Sequence, residues 1–450
     1  MAVNRKEGQK FSVAVVVPTW HYFANPFKLH PLHELYFATM IDFRFQGKDV
    51  SVRVIDLREV RSSEGGLCFK KLASFIPEHD LYLYWIMKTA DFPEVRSIVE
   101  GLRRAYPNAK HAAGGTHVDN FAKECERCFD TVVVGPGEES FISIINDCRK
   151  GSLRKSYRTD WSKVLYDDYP IARRDYLPES AIVNTALFEK YGGIKGTSAM
   201  FSRGCNFKCA YCVYNVPKTI QMRSPRNIEK EIQYLKKEYK IDGINLRDEI
   251  CIPLSPTIAE PYLEAIGRCN VIWRGQTRVG ASEKMLALAC KTGCVELALG
   301  VESASQQVLD IISKGQKVEQ ARDFIQTCRS LGIKVKMCLI LGLPGEPPDI
   351  VEITRSLIEE AKPDYVNISG FCPVPGSKIF DDRGHYGIKS IDTDWSKHAH
   401  LVFRFSDDEH FGLPFEYEKT NKWGRTFSRS EIIGNIRELQ HYLQERGMSY

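Results

Sequence analysis

Two long stretches of the chain alternate strand-like and helix-like segments, and this alternation limits the possible fold more than any other feature. Between residue 11 and about residue 148, apolar runs such as FSVAVVV and VSVRVIDL are separated by segments with helical spacing such as PLHELYFATMIDFRFQG. Strands that alternate with helices pair in parallel, because each helix carries the chain back along the sheet. The sequence therefore predicts a doubly wound α/β domain over residues 1–150.

The same alternation returns from Thr197 onward. Six strand-like runs, TSAMFSRG, GINLRDE, VIWRGQT, VELALGV, IKVKMCLILG and PDYVNISGF, are separated by helical segments. Six such units predict a partial (βα)6 barrel over residues 196–386, with its site at the carboxyl ends of the strands. In residues 151–195 the apolar residues show no sustained helical or strand spacing, so this segment is predicted to form a linker or a wrap between the domains. Residues 387–450 are predicted to form a small C-terminal cap that contains a helix.

Composition narrows the class of protein. The 450 residues carry 62 basic and 57 acidic side chains, so a net charge of +5 argues against an obligate nucleic-acid binder. No window approaches the roughly 18 apolar residues of a membrane span, and MAVNRKEGQK lacks the apolar core of a signal peptide. The fourteen cysteines are scattered through apolar contexts, which favours reduced thiols and a metal site over a disulfide framework. These features predict a cytoplasmic protein.

The stretch RGCNFKCAYCVYN places Cys205, Cys209 and Cys212 close together, directly after the first strand of the barrel. A structural zinc ion usually takes four protein ligands, and no second Cys or His pair follows at a suitable distance. Three thiolates with one open position suit an iron–sulfur cluster that binds another molecule at its fourth iron. The alternatives are three core cysteines or a zinc loop.

With a glycine just before the first cysteine and an aromatic residue just before the last, this stretch resembles the cluster loop of the radical S-adenosylmethionine (radical SAM) superfamily. The resemblance implies a 4Fe-4S cluster on Cys205, Cys209 and Cys212, with S-adenosyl-L-methionine (SAM) bound to the remaining iron. It also implies reductive cleavage of SAM to a 5′-deoxyadenosyl radical, and a one-electron reductant such as flavodoxin or ferredoxin.

Other strand ends of the barrel also resemble SAM-facing segments of this superfamily. LALGVESASQQ resembles its fourth strand, LILGLPGEPP its adenine-side turn, and INLRDE its contact to the SAM amino group; WRGQTRVG would place an arginine near the SAM carboxylate. Each also has a structural alternative, namely an exposed helix-start glutamate, a tight turn or an ion pair. The residues implied to contact SAM are Asp248, Glu249, Gln276, Arg278, Gly300, Glu302, Ser303, Gly342 and Pro344.

The first domain resembles the Rossmann-like cobalamin-binding domain of the B12-dependent radical SAM subgroup. HAAGGTHVDNF and VVVGPGEESF resemble its late glycine-bearing loops. This resemblance implies that Gly114, Gly115, Gly135 and Gly137 line the nucleotide tail or the corrin edge of cobalamin. The alternative is a domain that keeps the fold and has lost the ligand.

One motif of cobalamin-binding domains is missing. The Asp-x-His-x-x-Gly segment that supplies a histidine to cobalt is absent after the first strand, where the chain reads PTWHYFANP and His21 has the wrong spacing. The sequence therefore predicts no imidazole below cobalt. Trp20, Tyr84 and Trp85 would face that side, although packing in the core also explains aromatic residues at such positions.

The predicted function is that of a radical SAM enzyme that methylates an unactivated carbon of a small-molecule or peptide substrate with the help of cobalamin. The first alternative is a cyclisation, rearrangement or oxidation in which the N-terminal domain does not use cobalamin. The second alternative is an iron–sulfur module without enzymatic activity. The sequence assigns no residue to catalysis. Four histidines near the C-terminus, His385, His398, His400 and His410, suggest a second metal site, a substrate lid or, more simply, a packed C-terminal wrap.

Overall fold

A computed structural model describes residues 10–23, 25–63, 68–212, 220–398 and 413–449. Within it the chain divides into two compact units, Met1–Ile182 and Val183–Tyr450.

The first unit is built on a six-stranded parallel sheet with the strand order β2-β1-β3-β4-β5-β6. β1 and β3 are apolar and buried along almost their whole length, as expected for parallel strands covered by helices on both faces. The predicted doubly wound fold is therefore confirmed. The strands are β1 Phe11–Val17, β2 Val50–Asp56, β3 Leu81–Trp85, β4 Lys110–Gly114, β5 Thr131–Val134 and β6 Ser156–Arg158.

The sixth strand lies inside the segment that was predicted as a linker. β6 pairs with β5 in parallel, and Tyr157 is buried. Only three residues form this strand, so it is too short to show the period on which the sequence prediction depended. The domain boundaries given above stay predictions.

Helices connect the strands of the first unit. In Phe92–Ala105, a proline in the first turn favours the helix start, and Val95, Ile98, Val99 and Leu102 recur at helical spacing and are buried. The α-helices are Leu32–Arg44, Arg58–Ser63, Phe69–Leu72, Phe92–Ala105, Thr116–Asn120, Ala122–Cys128, Glu138–Arg149 and Glu179–Ile182.

The strand order creates a topological switch point. β1 lies between β2 and β3, so the chain moves to one side of β1 first and then returns to its other side. Loops that leave the carboxyl ends of two such strands diverge and open a crevice, which is where doubly wound sheets bind their ligands.

The second unit is a partial barrel of six parallel strands in the order β14-β13-β12-β11-β10-β7. This confirms the predicted partial barrel of six parallel strands, and β8 and β9 form a separate antiparallel pair. In chain order the strands are β7 Gly196–Ala199, β8 Ser202–Arg203, β9 Gln221–Met222, β10 Gly243–Leu246, β11 Ile272–Thr277, β12 Cys294–Glu302, β13 Lys334–Leu341 and β14 Tyr365–Gly370.

One face of this barrel sheet is polar. Ser198, Asn245, Arg274 and Glu296 are partners in register on four neighbouring strands, and the Arg274 guanidinium lies 3.2 Å from the Glu296 carboxylate. The intervening positions are apolar, as with the fully buried Trp273. Because side chains alternate between the two faces of a strand, one face is polar and the other forms the core.

The helices of the second unit begin at well-formed caps. The C-terminal helix, Arg429–Glu445, begins with a capping box of Ser428 and Glu431 and packs against β14. The α-helices are Pro225–Tyr239, Pro256–Arg268, Glu283–Lys291, Gln306–Ile311, Val318–Ser330, Ile350–Ala361, Lys378–Asp381 and Arg429–Glu445. The remaining strands are β15 Ile388–Ile391, β16 Phe415–Tyr417, β17 Thr420–Asn421 and β18 Gly424–Arg425. Among the described residues, no helix has the length and apolar character needed to cross a membrane.

Candidate functional site

The cysteine loop begins where β7 ends, and a buried carboxylate from the end of β10 holds its first residues. Asp248 is fully buried and accepts hydrogen bonds from Phe201 N (2.8 Å), Ser202 Oγ (2.6 Å) and Tyr262 Oη (2.9 Å). Burial raises the pKa of Asp248 to about 6, although these hydrogen bonds favour the charged form. Asp248 therefore positions the start of the loop.

The neighbouring carboxylate holds the next turn of the loop. Glu249 accepts a hydrogen bond from Gly204 N at 3.2 Å, and burial raises the pKa of Glu249 to about 7. Gly204 has a φ of +113°, which favours glycine at this position. Both acidic residues implied to contact SAM are thus engaged with the backbone beside the cysteines, and a direct contact of either with SAM stays a prediction.

The rest of the loop is anchored between the cysteines. The Arg278 guanidinium lies 3.2 Å from the centre of the Phe207 ring, Ala210 N donates to Ile312 O at 2.7 Å, and Ile379 N donates to Ala210 O at 3.0 Å. Cys205, Cys209 and Cys212 are partly exposed and form no disulfide within the described residues. The backbone is therefore fixed while the thiols remain accessible.

Basic side chains lie close to these thiols. Burial raises the pKa of Cys209, and the positive charges of Lys314 and Arg278 oppose that shift. Nε of Arg278 is buried and has no hydrogen-bond partner within the described residues, whereas its Nη2 donates to Lys314 O at 2.6 Å. This donor set suits an anionic thiolate-bound group.

The thiols are not arranged around a single ion. Among the described residues, no three His, Cys, Asp or Glu side chains are placed to hold one metal ion. A 4Fe-4S cluster attaches each thiolate to a different iron, so its ligands need not converge on one point. The three thiols of this loop therefore fit the protein ligand set of such a cluster.

The end of β12 carries a buried ion pair. Glu302 has a φ of +71° after a register shift in the strand, and its carboxylate lies 2.6 Å from Lys314 Nζ. A Cβ on Gly300 would lie 2.5 Å from Glu302 Oε1, so a glycine there makes room for the pair. Ser303 is also buried, and its Oγ accepts from Ser305 N at 3.1 Å.

The turn after β13 is closed by its own glutamate. Glu346 accepts hydrogen bonds from Gly342 N (2.8 Å) and Leu343 N (3.2 Å). Gly342 has a φ of +87°, and a Cβ there would lie 2.9 Å from Ile432 in the C-terminal helix. Pro344 is buried in the same turn. The glycine therefore has a packing reason that is independent of any ligand.

Glu346 should make the protein less stable as the pH rises. Burial raises the pKa of Glu346 from 4.5 to about 8, so between these values the folded protein keeps a proton that the unfolded chain has released. The free energy of unfolding should then fall by about 1.4 kcal/mol per pH unit over that interval. Urea unfolding of Glu346→Gln across this range should show a shallower fall, while the exposed Glu352→Gln should match the wild type. An unchanged slope in Glu346→Gln would contradict the assignment.

The residues in and just after β11, the third strand of the barrel, contribute unequally to the site. Arg278 lies beside the cysteine loop, Gln276 is exposed, and Arg274 is paired with Glu296 away from the strand end. The polar row across the barrel was not predicted from the sequence. The sequence nevertheless contains a pattern that indicates this row, because polar residues occupy alternate positions of strands that are otherwise apolar.

The four glycines implied to line cobalamin are packed against the chain itself. A Cβ on Gly114 or Gly137 would lie 2.5 or 2.7 Å from the Trp85 ring, and one on Gly115 or Gly135 would lie 2.7 or 2.2 Å from a backbone carbonyl oxygen. Trp85 therefore fills the space between the two glycine loops. Its Nε1 is buried and has no hydrogen-bond partner among the described residues.

The histidines near the C-terminus do not form a described metal site. His398 is buried, with Nε2 2.7 Å from Asp392 O, and His385 lies 2.8 Å from Lys422 Nζ. His400 and His410 lie outside the described residues.

Comparison with known proteins identifies the class of the second unit. Residues 200–358 match the radical SAM superfamily. This stretch contains the three cysteines and the strand ends described above. The chain therefore carries a radical SAM domain, as the cysteine spacing predicted, and is an enzyme.

Relatives and solved structures extend the comparison to the first unit. An uncharacterised methyltransferase of Pyrococcus horikoshii is 27% identical over 78% of each chain. An anaerobic magnesium-protoporphyrin IX monomethyl ester cyclase of Rubrivivax gelatinosus is 28% identical over 57% of this chain and 49% of the cyclase. The radical SAM methyltransferase TsrM of Kitasatospora setae, solved with cobalamin and a 4Fe-4S cluster bound, superimposes with a TM-score of 0.66 at 15% identity, over 96% of this chain and 89% of TsrM. The chain therefore shares the fold of TsrM.

Proposed function

We propose that this enzyme methylates an unactivated carbon by cobalamin-dependent radical SAM chemistry. The observation that carries the proposal is the anchored three-cysteine loop with Arg278 and Lys314 beside it, in a chain whose fold is that of a cobalamin-dependent methyltransferase. The substrate is a small molecule or peptide, the reductant is a one-electron donor such as flavodoxin or ferredoxin, and the compartment is the cytoplasm. No nucleic acid takes part.

The residues of the loop perform the binding. When bound, the 4Fe-4S cluster supplies the one-electron cleavage of SAM, and cobalamin supplies the transfer of the methyl group. Cys205, Cys209 and Cys212 hold the cluster. Arg278 and Lys314 offset its negative charge, and their buried surroundings strengthen that attraction.

SAM binding is assigned to the strand ends around the loop. Gly342 and Pro344 bring backbone close to where the adenine would lie, and Arg278 has an unpartnered buried Nε that suits the SAM carboxylate. Glu302 and Ser303 complete this side of the site. Asp248 and Glu249 act as positioning residues, because their oxygens already accept hydrogen bonds from the cysteine loop.

A corrinoid could lie in two places in the first unit, the crevice at the β1/β3 switch point or the slot between the two glycine loops, and these places differ in how well they fit it. The crevice at the β1/β3 switch point is the place where doubly wound sheets take a ligand. The slot between the two glycine loops does not fit a nucleotide tail while Trp85 fills it. We therefore place the corrinoid at the switch point and derive no step from Gly114, Gly115, Gly135 or Gly137.

A second candidate function is a radical SAM cyclisation, rearrangement or oxidation without cobalamin. Two observations favour it: one relative is a cyclase, and Trp85 occupies the space predicted for the cofactor tail. In this case the first unit serves as a scaffold.

Product analysis without a substrate separates the two functions. Anaerobically reconstituted enzyme is incubated with SAM, reduced flavodoxin and either hydroxocobalamin or buffer. Cobalamin-dependent methylation predicts 5′-deoxyadenosine together with S-adenosylhomocysteine that forms only when cobalamin is present. The second candidate predicts 5′-deoxyadenosine alone, and that result would end the methylation proposal.

A further inference from the structure

The register of the six barrel strands assigns the side chains that point into the barrel. Partners in register on parallel strands point to the same side of the sheet, and the apolar set, which includes the fully buried Trp273, packs outward under the helices. The opposite set therefore lines the lumen of the barrel. Its members with an amide, a hydroxyl or a charge are Ser198, Asn245, Arg274, Gln276, Glu296, Lys334, Lys336, Tyr365, Asn367 and Ser369.

A segment that precedes the first strand closes the lower end of this lumen. Phe188 packs on Gly196 and Gly243, where a Cβ would lie 2.4 and 2.6 Å from its ring. Tyr191 Oη donates a hydrogen bond to Glu296 Oε2 at 3.0 Å. The amino ends of the strands are therefore blocked, and the end at which the cysteine loop lies is left for the entry of a ligand.

Above this floor, solvent reaches the lumen. Gln276 is exposed, and Ala298, Gly300, Cys338 and Ile340 are partly exposed, although all five lie on the inner face of a barrel. Side chains in a sealed core would be buried. A concave space that solvent enters and that a few polar groups line is typical of a binding site for a small molecule.

The charge of the lumen is positive. The strand positions that face it all lie within the described residues, and they carry three basic side chains, Arg274, Lys334 and Lys336, and one acidic side chain, Glu296. Arg274 is paired with Glu296 at 3.2 Å, and Lys334 Nζ lies 5.2 Å from the centre of the Tyr191 ring at the floor. Lys336 is 4% exposed and lies higher, next to the positions that solvent reaches. A cleft lined by one sign of charge attracts ligands of the opposite sign.

The last strand adds hydrogen-bonding groups above Lys336. Asn367 and Ser369 are in register with Cys338 and Ile340 of β13, and each is 8% exposed. An apolar chain or ring in this lumen would remove water from amide, hydroxyl and ammonium groups and return no hydrogen bonds, which is unfavourable. The lumen therefore suits a polar ligand with acceptor oxygens.

We infer that the lumen of this barrel binds a small polar substrate that carries a carboxylate or a phosphate, and that Lys336 recognises this anionic group. The inference rests on the proposed function, because it takes the molecule in the lumen to be the substrate that is methylated. It narrows the substrate class from any small molecule or peptide to a compound with an anionic group, and it excludes an apolar lipid chain.

Cys338 provides a probe inside the lumen. It faces the lumen two residues after Lys336, about 7 Å away along the strand, and it is partly exposed. Iodoacetate and iodoacetamide are nearly equal in size, and both react with the thiolate. The ratio of their rates at one cysteine therefore reports the local charge and does not depend on the accessibility or the pKa of that cysteine. Because iodoacetate is itself a small carboxylate, the ratio measures the recognition that we infer.

The experiment compares two cysteines of the same protein. The full-length protein, reconstituted anaerobically and without SAM, is alkylated at low ionic strength with each reagent, and peptide mass spectrometry gives the rates at Cys338 and Cys128. Cys128 is the reference, because it is partly exposed and its charged neighbours are two arginines and two glutamates. The ratio of iodoacetate to iodoacetamide rates should be at least about fivefold higher at Cys338. Equal ratios at the two cysteines would overturn the inference, and this comparison needs no variant.

Variants assign the preference to one lysine. Lys336→Met removes the charge from a side chain of similar length and should lower the ratio at Cys338 about fivefold. Lys237→Met, on the exposed side of the helix Pro225–Tyr239, should leave that ratio unchanged. A high ratio that survives in Lys336→Met would overturn the inference.

Failure of this inference is distinguishable from failure of the proposed function, because alkylation does not depend on methyl transfer. A high ratio at Cys338 in an enzyme that forms no S-adenosylhomocysteine with cobalamin supports the anionic ligand and removes methylation alone. Formation of S-adenosylhomocysteine together with equal ratios at the two cysteines removes this inference alone.

Discussion

Replacing Cys209 by alanine is expected to abolish reductive SAM cleavage. In the proposed site, each of Cys205, Cys209 and Cys212 supplies the thiolate for one iron, so the loss of any one would leave an iron without its protein ligand. The backbone of the loop should stay in place, because its anchors at Asp248, Glu249 and Ala210 do not involve the thiols. After anaerobic reconstitution, iron and sulfide content should fall sharply, and 5′-deoxyadenosine should not exceed the protein-free control.

A cysteine elsewhere in the same unit provides the matched control. Cys338 lies in β13, is partly exposed and forms no disulfide. Cys338→Ala removes a thiol of similar exposure and should keep both the cluster and SAM cleavage. Full iron content and cleavage in Cys209→Ala would refute the assignment of the cluster to this loop.

The fold was largely predictable because its signals are local. Apolar runs and helical spacing are read within windows of a few residues, and they predicted the sheet of the first unit and the six parallel strands of the barrel. The radical SAM domain was predictable for the same reason, since its three characteristic cysteines lie within eight residues of each other in the sequence. Only the short β6 was missed in the first sheet.

The partners of the site residues were not predictable, because they are distant in the sequence. Asp248 holds Ser202 from 46 residues away, and Glu94 reaches His21 from 73 residues away. The glycines show a further limit: a sequence cannot tell a glycine that admits a ligand from one that admits a side chain. Gly114 and Gly137 admit the Trp85 ring, and Gly300 admits the pair of Glu302 and Lys314.

Breaking the pair of Glu302 and Lys314 is expected to destabilise the barrel strongly. Their side chains are 11% and 6% exposed, and the charged groups lie 2.6 Å apart. Lys314→Met leaves the Glu302 carboxylate buried without its cation, which should lower the free energy of unfolding by about 3–5 kcal/mol. Urea unfolding of the full-length protein measures this loss.

The double variant distinguishes a structural pair from a ligand contact. In Lys314→Met combined with Glu302→Gln, no unpaired charge remains. The decrease in the free energy of unfolding should therefore be much smaller than the sum of the decreases in the two single variants. The same cycle on the exposed pair of Lys284 and Glu260, 2.7 Å apart, is the control and should show little coupling. A direct contact between Glu302 and SAM would give a different result, namely that Glu302→Gln weakens SAM binding and leaves stability unchanged. Because the Glu302 carboxylate is paired with Lys314, which lies beside the cysteine loop, we expect Glu302→Gln to lower stability and SAM affinity together. A loss of SAM affinity with unchanged stability would instead indicate that Glu302 contacts SAM directly.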